Sequence, residues 1–312
     1  MEKQQISFEQ VIDCGCGIDV HKSLLVATIR GTGIKEETRE YGAFTEDIES
    51  LRSWLKTNKV SHVAMESTGV YWKPVFNILE EDFEIILVNA RHIKNVPGHK
   101  TDKKDSRWIA KLLLSGLLNG SFIPKLSIRE LRDLTRYKRK LVEQISSEKN
   151  RIQKVFEDAN IKLSSVLSDM SGAVATKIID ELISGEEDID KLVSYRHGKM
   201  KSSKEELAKS LVGKLTAHHR FMLSTIKESI QEKEMLIAKL DRQIESHLKA
   251  NELELDRDLL TGIPGVGKDG AEYILAEIGN DMEVFADEQH LSSWAGMCPG
   301  NNESAGKKKV HE

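Results

Sequence analysis

The stretch Cys14-Gly15-Cys16-Gly17-Ile18-Asp19-Val20-His21-Lys22 alternates small or apolar residues with a single carboxylate and then turns abruptly polar. Such alternation suits a buried strand whose far end carries a charge out of the core. Two more β-branched runs follow, Leu24–Arg30 and Glu36–Tyr41, each set off by a polar or Gly-containing turn. The spacing predicts three consecutive antiparallel strands. Beyond them the period changes. A helical pattern covers about Glu46–Leu55, a strand His62–Met65, a helix about Tyr71–Leu79 and a strand Glu84–Val88.

A three-stranded meander followed by β-α-β-α alternation is the element order of ribonuclease-H-like domains, with a mixed sheet and helices on its faces. After Asp105 the pattern is helical. Leu131, Leu134, Tyr137, Leu141, Ile145, Ile152 and Phe156 form an apolar stripe on one long helix. A second, about His218–Leu248, places Ile226, Ile230, Ile237, Leu240 and Ile244 at near-heptad spacing, interrupted by Lys233. The pair predicts a coiled-coil arm. Residues 163–215 between them read as polar helical pieces without an assignable role. Leu260–Gly267 is a Gly/Pro hairpin followed by a helix to Ile278, and a short helix at Glu288–Ala295 precedes the polar end. The expected class is α/β plus α: a nuclease-like domain over 1–125, a helical connector over 126–252 and a small helical domain over 253–312.

A chain of 312 residues has room for more than one core. No stretch approaches the roughly 18 apolar residues that span a bilayer, and the three cysteines form no paired pattern, so a soluble, cytoplasmic protein without a membrane partner is expected. The formal net charge of -4 conceals a strong asymmetry. From Arg91 to Lys154 there are seventeen Lys or Arg against six Asp or Glu. Local fields decide nucleic-acid binding, and this block, with Lys100, Lys103, Lys104 and Arg107 at its heart, is the candidate phosphate-binding surface. Lys22 and His21, beside Asp19, are further candidates. Tyr71 and Trp72 either stack on a base or belong to the core, the commoner fate of such a pair.

Four carboxylates stand out. Asp19 and Glu66 close predicted strands; Asp102 and Asp105 are three apart, on one face of a helix start. Oxygen ligands without His or Cys favour a hard cation, Mg2+ or alternatively Mn2+, and paired ions of this kind serve phosphodiester chemistry. The plainer alternative is a set of solvated strand ends and an ordinary helix N-terminus.

Gly17-Ile18-Asp19-Val20-His21-Lys22, Glu66-Ser67-Thr68-Gly69-Val70-Tyr71-Trp72, Lys100-Thr101-Asp102-Lys103-Lys104-Asp105, the Gly262–Gly267 hairpin and Pro299 to Lys307 resemble, in order, the DEDD transposases of the insertion-sequence-110 family. The resemblance implies a RuvC-like nuclease domain, a coiled-coil connector and a C-terminal transposase domain whose nucleophile corresponds to Ser304. It further implies magnesium on the four carboxylates, a transient phosphoserine link to DNA, a structured non-coding guide RNA from the same element, and work as a homo-oligomer, a dimer or tetramer. Family members continue past the Ser-x-Gly-Lys stretch, so a C-terminal truncation is expected here. The hairpin resembles a helix-hairpin-helix element in which Gly265 and Gly267 admit a phosphate, or else is a plain helix–helix turn. Two rival readings are a junction-resolving nuclease that uses water and no serine, and a non-catalytic nucleic-acid-binding remnant.

Overall fold

The computed structural model describes residues 11–66, 69–88, 102–118, 120–167, 169–170, 172–198, 200–297, 303–304 and 307–308, with 102–104, 303–304 and 307–308 described by backbone alone. Two compact units divide the chain, 1–123 and 124–312.

In the first unit β1 (Cys14–Val20), β2 (Leu24–Gly31), β3 (Ile34–Gly42), β4 (His62–Glu66) and β5 (Glu84–Val88) form one sheet in the order β3-β2-β1-β4-β5. The β1/β2 and β2/β3 pairs are antiparallel; β1/β4 and β4/β5 are parallel. This mixed sheet is consistent with the ribonuclease-H-like expectation. The third strand begins two residues before the expected Glu36, because Gly33, at φ +72°, turns the chain tightly enough for Ile34 to pair with Gly31. As an edge strand β3 carries Lys35, Glu36, Glu37, Arg39 and Glu40, charges that discourage pairing with another chain.

Central β1 is buried along its whole length, so both of its faces must be covered. Cys14, Cys16, Ile18 and Val20 join Leu25, Ala27, Ile29, Val63 and Met65 on one face, under α1 (Thr45–Thr57) and α2 (Trp72–Leu79). Ile48, Leu51, Trp54 and Leu55 supply the buried stripe of α1, and Val75 and Leu79 that of α2. Trp72 is partly buried against this core, edge-on to Phe76 at 5.6 Å, whereas Tyr71 is exposed.

The opposite face of β1 presents Gly15, Gly17 and Asp19, and α3 (Asp102–Leu114) lies on it. Contact is backbone to backbone. A Cβ built on Gly17 would stand 2.3 Å from the Ser106 carbonyl oxygen and 2.4 Å from the Ala110 nitrogen. The neighbours on this face are equally small: Ala64 and Thr28 flank Gly17, and the Thr28 and Ser106 hydroxyls share a buried hydrogen bond at 2.8 Å.

The second unit is helical. α4 (Leu126–Asp158) and α9 (Ala217–Ala250) run antiparallel, as three cross-links show: His247 Nε2 to the Ser127 carbonyl at 2.7 Å, Lys138 to Asp241 at 2.5 Å and His219 Nε2 to Asp158 at 2.8 Å. Residues 163–215, which carry no clear signal in the sequence, build a cap of four short helices, α5 (Leu163–Val166), α6 (Ala173–Ser184), α7 (Ile189–Ser194) and α8 (Lys204–Ser210). Leu163, Ala175, Ile178, Leu192 and Leu207 bury against Phe156 of α4 and Leu223 and Ile226 of α9. Only α6 is long enough to show a period, in Ala175, Ile178, Ile179 and Leu182; the other apolar positions are dispersed over shorter helices.

One residue of the expected α4 stripe is displaced. Tyr137 is exposed, and the buried line runs through Ile128, Leu131, Thr135, Lys138, Leu141 and Ile145. Lys138 is 4% exposed because α10 (Glu254–Thr261) and α11 (Lys268–Ile278) fold onto this end of the arm. Its ammonium meets Asp241 at 2.5 Å, Asp269 at 2.8 Å and the buried Glu272 at 3.9 Å. Burial works to lower its pKa, and the bonds to Asp241 and Asp269 outweigh that and raise it. Arg132 donates to the carbonyls of Ala276 and Glu277 at the α11 C-terminus, and Arg136 grips the Glu277 carboxylate with two bonds of 2.8 Å. Beyond α11 come a 3-10 turn (Met282–Val284), α12 (Glu288–Trp294) and the paired two-residue strands β6 (Glu303–Ser304) and β7 (Lys307–Lys308).

Two substitutions test these packings. Gly17→Ala should destabilise the first unit by about 1–3 kcal/mol, the range for overpacking, since neither opposing backbone atom can yield alone. Lys138→Met should cost the second unit about 3–5 kcal/mol by leaving the buried Glu272 to the exposed Lys268 at 4.0 Å and removing the partner of Asp241 and Asp269. Denaturant unfolding followed by circular dichroism measures both.

Candidate active site

The parallel register of β1 and β4 pairs Gly17 with Ala64. Two residues further on, Asp19 and Glu66 project from the same face at the carboxyl ends of adjacent central strands. The first turns of α3 lie over that face, since its Ser106 sits above Gly17, and this brings Asp105 to the same edge. Asp102 opens the helix one turn earlier; its side chain, like those of Lys103 and Lys104, falls outside the described residues, as does all of Lys100.

Asp19 is 7% exposed. Burial pushes its carboxyl above the ordinary carboxylate range; the negative charges of Asp105 and Glu66 push the same way, and His21 opposes them. The His21 Nε2 lies 3.1 Å from an Asp19 carboxylate oxygen. Glu66 and Asp105 therefore lie near enough for their charges to act on Asp19. Among the described residues no three His, Cys, Asp or Glu side chains are gathered tightly enough to hold a metal ion as they stand. The donor chemistry nevertheless fits a hard divalent cation: oxygen ligands, with a buried member raised by burial and by like charge and, among the described residues, paired with a histidine rather than with Lys or Arg.

Sequence reasoning missed the hydroxyl chain under this edge. Ser106, next to Asp105, bonds Thr28; Thr28 bonds Thr38 at 2.9 Å; and Arg107 donates to Thr38 at 3.2 Å. Its one signal in the sequence is a serine inside an otherwise apolar helical face. Arg107, a candidate phosphate contact, is exposed but also lies 3.5 Å from Glu36. Lys22 is exposed at the end of β1. Within the basic block, Arg132, Arg136 and Lys138 serve internal contacts of the second unit, so its charge surplus overstates what is presented to solvent.

In the second unit Gly265 adopts φ +88°, and Gly267 caps α11 in an extended conformation. A Cβ at either position would meet nothing within 4 Å, so the turn is open. Ser304 lies in β6 opposite Lys307; its side chain is outside the described residues.

A mixed sheet with carboxylates at the ends of adjacent inner strands, crossed by an acid-bearing helix, is consistent with the DEDD class of ribonuclease-H-like domains. Residues 16–161 match the DEDD transposase family of IS110 elements, and residues 257–312 match the transposase IS116/IS110/IS902 family; between them they cover well over half of the chain. The chain belongs to this transposase family. It is also similar to a "Probable family 20 transposase" of Pseudomonas aeruginosa, 27% identical over 89 residues, which is 28% of this chain and 25% of that protein. The matched stretch thus spans a quarter of that relative's length. No described helix is long and apolar enough to cross a membrane.

The raised carboxyl of Asp19 has a consequence for stability. A carboxyl with a raised folded pKa contributes stability below its ordinary value near 4 and loses it as pH climbs through the folded value. Without metal, Asp19→Asn should therefore melt near the parent at about pH 4 and above it as pH rises to neutrality. Magnesium should stabilise the parent and not the variant. A variant melting below its parent at neutral pH would contradict the cause assigned here.

Proposed function

We propose that the protein is a transposase that cuts and rejoins DNA strands at its element's ends and at a target. What supports this reading is that Asp19 and Glu66 end adjacent strands on one face, that the charges of Glu66 and Asp105 act on the buried Asp19, and that among the described residues no Lys or Arg pairs with Asp19. Family membership supports it. Asp19, Glu66, Asp102 and Asp105 would hold Mg2+, with Mn2+ as a substitute. Bound there, such an ion would supply Lewis-acid stabilisation of the charge that develops on a phosphodiester.

In this reading the first unit is a RuvC-like nuclease and the antiparallel α4/α9 pair a coiled-coil connector. The α10–α11 turn is a helix-hairpin-helix element offering the backbone at Gly265 and Gly267. The functional division follows 1–125, 126–252 and 253–312. His21 holds Asp19 in place, while Lys22, Lys100, Lys103, Lys104 and Arg107 contact phosphates. The Ser304 hydroxyl oxygen attacks phosphorus; as the new phosphoester forms, the bond to the departing strand oxygen breaks and the serine proton ends on that oxygen. DNA is the substrate, an element-encoded guide RNA selects it, and a homo-oligomer, a dimer or tetramer, assembles the site.

The test is magnesium-dependent strand exchange between element-end and target DNA with the element's flanking RNA supplied. Glu66→Gln or Asp105→Asn should lower the rate by more than about 100-fold, since losing even an outer partner of a metal ligand costs 10–100-fold. Ser304→Ala should bind DNA and form no covalent adduct on a denaturing gel. An adduct that survives Ser304→Ala assigns the nucleophile elsewhere, and hydrolysed product without any adduct in the parent overturns strand transfer in favour of a resolving nuclease.

A further inference from the structure

Residues 163–215 lie outside both matched stretches, and the chemistry proposed above does not use them. Within this cap, Tyr195–Lys204 holds four Lys or Arg and one His with no Asp or Glu. An isolated charge run is ordinarily a solvated surface, but this one is folded into the wall of a groove. The Arg196 guanidinium donates to the Ser202 carbonyl at 2.6 Å and to the Met200 carbonyl at 3.0 Å, closing the segment on itself. The Ser202 hydroxyl donates to the Val166 carbonyl and so ties the segment to α5. Between the tied segment and α5 runs an open groove of about 650 Å³.

We propose that this groove binds the phosphodiester backbone of a nucleic acid. Lys201 and His197 stand exposed on one wall and the Ser164 hydroxyl on the other, so donors face each other across it. Val166 and Met200 give it an apolar lining suited to the flat of a sugar. Glu206 also lines it, but its carboxylate accepts from the Ser203 backbone N–H at 2.7 Å and is committed to capping α8. Lys204, exposed at the start of α8 three residues after Lys201, lies outside the lining and adds positive charge to the same segment, next to Glu205. Because Arg196 and Ser202 hold the segment in place beforehand, binding does not have to order it.

The position along the arm sets what the groove can reach. From Lys138, which bonds Asp269 just past the α10–α11 turn, to Phe156, in the core of the cap, α4 rises by about 27 Å at 1.5 Å per residue. That equals about eight base pairs of duplex at 3.4 Å each. The cap therefore offers a backbone contact further along a bound strand than the α10–α11 turn. This goes beyond the catalytic reading, because a protein that bound nucleic acid and never cut it would use the groove equally.

The experiment titrates the full chain into labelled duplex DNA, single-stranded DNA and an RNA hairpin over a series of salt concentrations. Parent is compared with Lys201→Ala/Lys204→Ala and with Lys239→Ala/Lys249→Ala, which removes the same charge from two exposed lysines of α9. In the groove variant the slope of log affinity against log salt should fall by up to about 1.8 on duplex or about 1.4 on single strands, while the control keeps the parent's slope. The polymer showing the largest fall is the groove's ligand. Equal thermal melts of all three proteins exclude unfolding as the cause. An unchanged slope on every polymer overturns the proposal; so does an equal fall in the control, and so does an equal loss of binding to polyglutamate, which would make the lysines a general cationic patch. Magnesium-dependent strand exchange should persist in the groove variant at saturating protein. An inactive parent would count against the catalytic reading and leave the binding comparison standing.

Discussion

Helix α3 rests directly on the backbone of β1, with no side chain between them at Gly17. That contact distance governs the first unit. A sheet buried on both faces needs a cover on each, and α1 and α2 supply one through large side chains such as Trp54 and Leu51. On the other face Gly15, Gly17 and Ala64 leave so little bulk that the covering helix descends until main-chain atoms touch. The approach lowers the first turns of α3 to the level of the strand ends, where Asp19 and Glu66 emerge. Were the same face lined by valines, the helix would ride higher by a side chain and Asp105 would stand away from Asp19.

Closeness of like charges is costly, and the cost falls on Asp19, the buried member. Among the described residues His21 contacts it, while a hydroxyl chain from Ser106 through Thr28 to Thr38 ties the helix to the sheet beside it. These hydroxyls satisfy one another in a place where an unpaired polar atom would be expensive. They fix where Asp105 sits without themselves reaching the acidic edge.

The second unit resolves a different conflict. Two long helices meet along stripes that include Thr135 and Lys138 at positions where an apolar residue would ordinarily pack. The polar layer is tolerated because α11 brings Asp269 and Glu272 to the same place as Asp241 of α9, so the buried ammonium is surrounded by carboxylates. With Arg132 and Arg136 closing the far end of α11, the basic character of α4 serves in part to hold the C-terminal helices.

Read alone, the residues were enough to place β1, β5 and the long helices, because their apolar patterns are local and run long enough to establish a period. They also marked Asp19, Glu66 and Asp105 as unusual, since a charge at the end of an apolar run is visible without knowing what lies opposite. Tyr137 was misread because it follows the helical period yet faces solvent, while Lys138 breaks the period and is buried; only the arrival of α11 decides between them. The cap reads in sequence only as helical pieces because three of its four helices are shorter than the window in which periodicity appears, and its core draws a few residues from each of six helices. That Glu66 and Asp105 come near Asp19 is likewise a matter of tertiary structure. The parallel register of β1 with β4, and the descent of α3 onto Gly17, are pairings between residues roughly fifty and ninety positions apart, and no local pattern encodes a contact of that separation.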